Sequence, residues 1–244
     1  MENNPYAPPV SSIQGTPELV QAAPAGGFRD ISGLTRNLSV LLLIGVGLEL
    51  LAIGSELLQL NLLSHTLTSA TRAELITNSR RVAFVNLGLV VLYLVTAVVF
   101  GRWIYFAQRN LPELGARLLR FTPGWAVGCF FVPFLNLWAP CQAMNQLLRA
   151  SRDPRTWELE DTPLVIFGWW ALWLIVQFMG NGVLRASLGA KTLAELHQST
   201  ELDFAMTLLS APLYLLAWLI VRRVWRDQSA TFTQQVALGQ TGYR

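Results

Sequence analysis

Charge is what this chain has least of. Only 14% of its 244 residues are charged, against about a quarter in soluble domains. So large a deficit argues against an ordinary water-soluble fold. Lysine is nearly missing: Lys191 is the only one, and arginine carries the rest of the positive charge. No basic run with interleaved aromatics lies outside the apolar stretches, so nucleic acid is excluded as an expected partner. Cysteine and histidine number two each. Cys129 and Cys141 would stand about 18 Å apart on a continuous helix, too far for a disulfide. His65 and His197 are remote from both. There is no HExxH, no glycine-rich phosphate loop and no GxSxG, and no serine or aspartate has a base beside it. The expectation is a non-enzymatic protein with no catalytic residue, no cofactor and no metal ligand.

What is present is apolar length. Hydrophobic residues make up 52% of the chain, gathered into uncharged runs of roughly twenty, the length needed to cross about 30 Å of hydrocarbon. Four such runs are predicted as transmembrane helices, over residues 38–63, 82–106, 162–184 and 204–224. Residues 1–30 are rich in proline and small polar residues. Such a segment cannot bury enough apolar area to offset its ordering entropy, so a disordered tail is expected. It has no basic region followed by an apolar core, so it does not read as a signal peptide. Residues 31–226 are read as one helical membrane domain and 227–244 as a C-terminal cytoplasmic tail. Between the second and third runs, residues 107–124 alternate arginine with leucine and read as a short helix on the membrane surface. Trp103 and Tyr105 read as part of an interfacial aromatic belt.

A further hydrophobic segment, over residues 125–148, is unlike the others. Pro123 and Gly124 precede it, Pro133 breaks its middle and Pro140 interrupts it again. If it crosses the membrane, the chain has five crossings and its 18 arginines and lysines divide 10 to 8 between the two sides. If it turns back, there are four crossings and the division becomes 13 to 5. The positive-inside rule favours the second reading. The prolines agree, because they break the helical ladder where a re-entrant turn needs it broken. The fold class expected is therefore an all-α membrane bundle of four transmembrane helices plus a proline-broken, re-entrant segment; a fifth crossing is the alternative.

Two groups of residues are candidates for function. Glu49 and Glu56 lie two turns apart on one face of the first helix, in a stripe with Gly45, Ala52 and Gln59. A carboxylate inside a membrane is costly and marks a site by default. In the four-crossing reading, Asn86, Gln177, Asn181 and Arg185 join this intramembrane polar cluster. Glu56 would pair with Arg185, or hold a cation or proton with Asn86 and Asn181. The plainer alternative is a polar contact that glues helices together. The second group is the broken-helix element Pro133, Asn136, Trp138 and Pro140. Unwound backbone there can expose carbonyls to an ion, or it can simply let the chain turn, with Asn136 capping the freed groups.

The runs WIYFAQRNLPELG, FTPGWAVGCFFVPFLNLWAPCQAMNQLLRASRDP and GWWALWLI resemble a bacterial membrane family known as domain of unknown function 4328. The positions that carry the resemblance are Asn110 and Leu111; Pro123, Gly124 and Trp125; Val132, Pro133, Asn136, Leu137, Trp138 and Pro140; then Arg149, Asp153 and Pro154. The resemblance covers roughly residues 35–225. It departs at Cys141, where an aromatic residue is expected, and at Gln146 and Leu148, in a stretch often more charged. It implies a multi-pass protein of a bacterial inner membrane and supplies no activity. The leading expectation is a membrane component that binds protein partners or lipids. The alternative is a small channel or transporter using Glu49 and Glu56. The partners expected are the lipid bilayer and either other proteins or further copies of the chain in a homo-oligomer.

Overall fold

The computed structural model describes residues 27–64, 69–189 and 192–239. Six α-helices occur among them: α1 (Ser32–Ser64), α2 (Ser69–Glu113), α3 (Pro123–Gly128), α4 (Ala139–Arg152), α5 (Leu164–Gly189) and α6 (Leu193–Ala237). A 3-10 turn over Leu135–Leu137 precedes α4. Four helices, α1, α2, α5 and α6, are long and apolar enough to cross a membrane. Their outward faces carry Phe84, Leu87, Val98 and Phe178, all well exposed. Outer faces this apolar suit lipid as the solvent. The protein is an all-helical membrane bundle of four spans. At 45 residues each, α2 and α6 are about 67 Å long, about twice the hydrocarbon thickness. Both must project well beyond it.

The bundle has two ends. One holds the start of α1, the end of α2, α3, α4, the start of α5 and the end of α6; it carries most of the arginines. The other holds the end of α1, the start of α2, the end of α5 and the start of α6. The broken segment belongs wholly to the basic end. Thr122 caps α3, accepting from Trp125 N at 3.2 Å, and Pro123 occupies the first turn, where its missing N–H costs nothing. The chain then reverses. Phe134 takes φ of 65°, a strained value for a non-glycine residue. Pro140 stands in the first turn of α4. Val127 lies against Gly101 of α2, Phe130 meets Trp173 of α5 edge-on, and Trp170 Nε1 donates to Leu137 O at 3.2 Å. The segment dips alongside the helix ends and returns to the end from which it came.

Several local expectations change. No separate surface helix forms over residues 107–124. Residues 107–113 continue α2, which stops at Gly115 with φ of 93°. There Gly115 N donates to Pro112 O and Ala116 N to Leu111 O, the bonding of a glycine-terminated helix end. The amphipathic helix of this end is α4, whose one side is buried from Ala139 to Ser151. Trp103 is not interfacial: it is fully buried, and its Nε1 donates to Thr35 Oγ1 at 3.0 Å. At the N-terminus, residues 1–26 of the expected tail lie outside the described residues, but the next few are held. Phe28 stacks on Phe232 at 4.1 Å, and Arg29 N donates to Asn110 Oδ1. At the other end, α6 runs to Ala237, well into the expected tail; residues 240–244 lie outside the described ones.

Candidate functional site

The stripe on α1 is buried along its length. Ala52, Glu49, Glu56 and Gln59 all face the interior. Gly45 marks a close approach of α1 and α6: a Cβ there would stand 2.7 Å from the Tyr214 ring. α1 packs on α6 and α2, and these three helices enclose the carboxylates. Thr207 of α6 lies 3.0 Å from Glu56 Oε1, while Glu56 Oε2 has no hydrogen-bond partner. The Thr207 hydroxyl is also 2.9 Å from Asp203 O. A threonine has one proton to donate. If it goes to the carbonyl, the contact with Glu56 needs the proton on the carboxyl instead.

Asp203 is the third carboxylate of this interior. It is half-buried, and Asn86 of α2 hydrogen-bonds to it. Glu56, Asp203 and Tyr214 are the ionisable neighbours of Glu49. Toward the less basic end the polar contacts continue. Gln59 Nε2 donates to Thr200 Oγ1 at 3.1 Å, and Asn78 Nδ2 to Gln59 Oε1 at 3.2 Å. Arg81 Nε donates to Ser55 Oγ at 3.1 Å, and the same guanidinium reaches Asn78 Oδ1. The ion pairs Arg152–Glu160 and His197–Glu201 do not involve the three carboxylates. Among the described residues no group of three or more His, Cys, Asp or Glu is placed to hold a metal ion.

The expected membership of this cluster is therefore revised. Glu49, Glu56 and Asn86 are brought together. Gln177 and Asn181 are not: both are exposed on the outer side of α5, where Asn181 Nδ2 donates to Gln177 O at 2.8 Å. α5 packs against α6 and α4, so its stripe of polar residues looks away from α1. The side chain of Arg185 lies outside the described ones, and with it the expected pairing to Glu56. Asp203 and Thr207 were missed because Asp203 falls just before the apolar run at 204–224. α6 begins three turns earlier, at Leu193, on a capping box between Thr192 and Glu195. The available signal was the spacing of Ser199, Asp203, Thr207 and Ser210, which puts all four on one helical face.

The broken-helix element has its own geometry. Pro133 and Trp138 are exposed, and Pro140 is buried. Asn136 does not cap: α4 has no side-chain cap, and Asn136 Oδ1 is buried without a partner. The carbonyls of Val132, Pro133, Phe134, Leu135, Leu137 and Trp138 each already accept a hydrogen bond. They do not converge as free ligands on one point, so the turn-making role fits better than ion coordination.

The basic end holds a second polar system, not anticipated from the sequence, around Gln228. Its Nε2 donates to Ala107 O at 2.9 Å and Ser151 Oγ at 3.0 Å, while Asn110 Nδ2 donates to its Oε1 at 3.2 Å. Asn110 also holds both the N–H and the carbonyl of Arg29. This knot ties the segment before α1, α2, α4 and α6 together. Around it lie Trp103, Leu111, Met144, Leu147 and Val221, all fully buried.

A family model described as "Domain of unknown function (DUF4328)" matches residues 67–226. That is well over half of the chain, so the chain belongs to this family. The matched region holds Asn86, Asp203, Thr207 and the whole broken segment; Glu49 and Glu56 precede it. No curated protein and no solved structure matches the chain.

Proposed function

We propose that this family member is a non-enzymatic component of a bacterial inner membrane. In this reading it binds lipids or protein partners through its helices and its arginine-rich end, which faces the cytoplasm. One observation carries it: the exposed cations at that end stand on a closely packed base. Arg117, Arg120, Arg152, Arg155, Arg222 and Arg223 are exposed, around the buried knot of Gln228 and Asn110. Fixed cations next to a negatively charged leaflet attract anionic headgroups, each contributing about 1 kcal/mol. The test is reconstitution in nanodiscs of mixed anionic and zwitterionic lipid, followed by native mass spectrometry of retained lipid. Anionic lipid should be kept selectively, and less of it after Arg222, Arg223 and Arg226 are changed to glutamine. Equal retention of both lipid classes rejects the lipid half of the proposal; failure of the intact protein to crosslink any neighbour in cells rejects the other.

A specific observation favours a second reading, movement of a proton or small cation. Glu49, Glu56 and Asp203 share one interior with no ion pair among the described residues to neutralise them. Three like charges in a low-dielectric interior repel strongly, so protons or a cation would have to accompany them. Proteoliposomes of the Glu49→Gln/Glu56→Gln variant should lose a proton or cation flux that the native protein shows. Equal flux in both, or none in either, removes this reading.

A further inference from the structure

A polar cleft of about 320 Å³ opens at the basic end, away from the three carboxylates. One wall is α4, through Gln142, Asn145, Gln146 and Arg149. The other is formed by Arg120 and Phe121 and by Trp157 and Glu158 of the loop after α4. Its volume is at the lower limit of small-ligand pockets. Its inner wall presents polar atoms whose directions are set by their other bonds. Gln146 is only 3% exposed. Its Oε1 accepts from Arg120 N at 2.7 Å and Phe121 N at 3.4 Å. That fixes which end of the amide is oxygen, and Nε2 is left buried without a partner. Arg149 is similar. Its Nη2 donates to Glu158 O at 2.8 Å, and its guanidinium lies over Trp157, yet its Nε is buried and unpaired. Asn145 gives Nδ2 to Thr162 Oγ1, leaving Oδ1 as an unpaired acceptor.

Buried donors without partners are uncommon in native proteins, and each is costly. Here two of them belong to residues that line one cleft, together with the exposed Arg120. The Glu158 carboxylate also lines the cleft; against two arginines it leaves the charge positive. Leu159, next to Glu158 in the chain, is among the most exposed apolar side chains described.

We propose that this cleft binds a phosphate group, with Gln146 Nε2 and Arg149 Nε donating to its oxygens and Arg120 closing over it. Asn145 Oδ1 would accept from a hydroxyl carried beside the phosphate. A phosphate diester with a glycerol hydroxyl, as in an anionic phospholipid, has this chemistry, and so in part does free phosphate. The proposal rests on the reading of the basic end as a binding surface and gives that surface one defined site.

The test is calorimetric titration of the full-length protein in detergent with two probes, inorganic phosphate and short-chain phosphatidylglycerol. Binding of the lipid alone assigns the site to headgroups; equal binding of both assigns it to soluble phosphate. Gln146→Glu keeps the oxygen that holds Arg120 and Phe121 but replaces the inward donor with an acid. It should weaken binding by about tenfold or more, as expected for a lost bond to a charged group. Arg120→Gln, at an exposed position where folding is not at stake, should weaken it by roughly threefold. Glu158→Gln should tighten it. No binding of either probe by folded protein overturns the proposal, as does binding untouched by Gln146→Glu and Arg120→Gln. If nanodisc retention of anionic lipid persists in those variants, only this site fails. If retention is also absent in the native protein, the reading it rests on fails with it.

Discussion

Gln228 and Glu56 are both long polar side chains on spanning helices, and both are almost wholly buried. Gln228 has a partner for its amide oxygen and two for its nitrogen. Glu56 has one threonine for one oxygen and nothing for the other. The difference extends to their surroundings. The knot at Gln228 is set among tryptophans, leucines and Met144, whereas Glu56 sits among Glu49, Asp203, Gln59 and Thr207. The first arrangement is a satisfied network, which rigidifies and specifies a core. The second is under-satisfied, which is the usual mark of a place that changes protonation, binds something or moves. One bundle thus contains a satisfied knot around Gln228 and a buried carboxylate, Glu56, with unspent hydrogen-bonding capacity.

If that contrast is right, equivalent changes should cost more at the knot than at the carboxylate. Gln228→Leu leaves Asn110, Ser151 and the Ala107 carbonyl without their shared partner. It should destabilise the protein by about 3 kcal/mol, read as a fall in thermal midpoint in detergent; an unchanged midpoint would break the comparison. Gly45→Leu forces the Tyr214 ring aside and should cost about 2 kcal/mol. Gly47→Leu, where nothing lies within 4 Å, serves as its control, and equal costs would remove the close approach of α1 and α6. Thr207→Val deletes the only hydrogen bond of Glu56 but should cost only about 0.6 kcal/mol, the average for such bonds inside membranes. A loss as large as that of Gln228→Leu would mean that the two sites are equally firm.

The smallest effect belongs to a turn at the basic end. Thr156 Oγ1 donates to Asp153 Oδ2 at 2.7 Å, and the N–H groups of Arg155 and Thr156 reach Oδ1. These bonds, the Thr156 hydroxyl first, hold the Asp153 carboxyl below its ordinary value of 3.8. The lowered value favours the folded form above the unfolded pKa, and that contribution is lost as pH falls through the folded one. Because Asp153 is close to solvent, the gain is small. Acid titration by NMR should show the Asp153 value rising in Thr156→Val; no change would mean that the hydroxyl does not hold the carboxylate.

Much of this architecture was legible along the chain, for reasons that differ from residue to residue. The four spans follow from apolar length. The turn at residues 133–140 follows from prolines that cannot continue a helical ladder. Glu49 and Glu56 were legible as an inward stripe because a charge in hydrocarbon must face protein. Gln177 and Asn181 misled, because helical spacing shows that residues share a face but not which way that face looks. Trp103 misled for a related reason: its place at the end of an apolar run suited an interface, yet α1 covers it through Thr35. Asp203 was hidden by reading the helix as no longer than its apolar run.

Composition and periodicity alone determined that this chain is solvated by lipid, that it makes four long helices, and that its hydrophobic insert is broken. Each of these depends on properties summed over neighbouring residues, which a sequence carries openly. Only the tertiary structure decided that α5 turns its amides outward, that Asp203 joins the two glutamates, and that Gln146 and Arg149, each with an unpaired buried donor, line one cleft. Those outcomes depend on how separate helices rotate about their own axes when they pack, a choice made by contacts between residues distant in the chain.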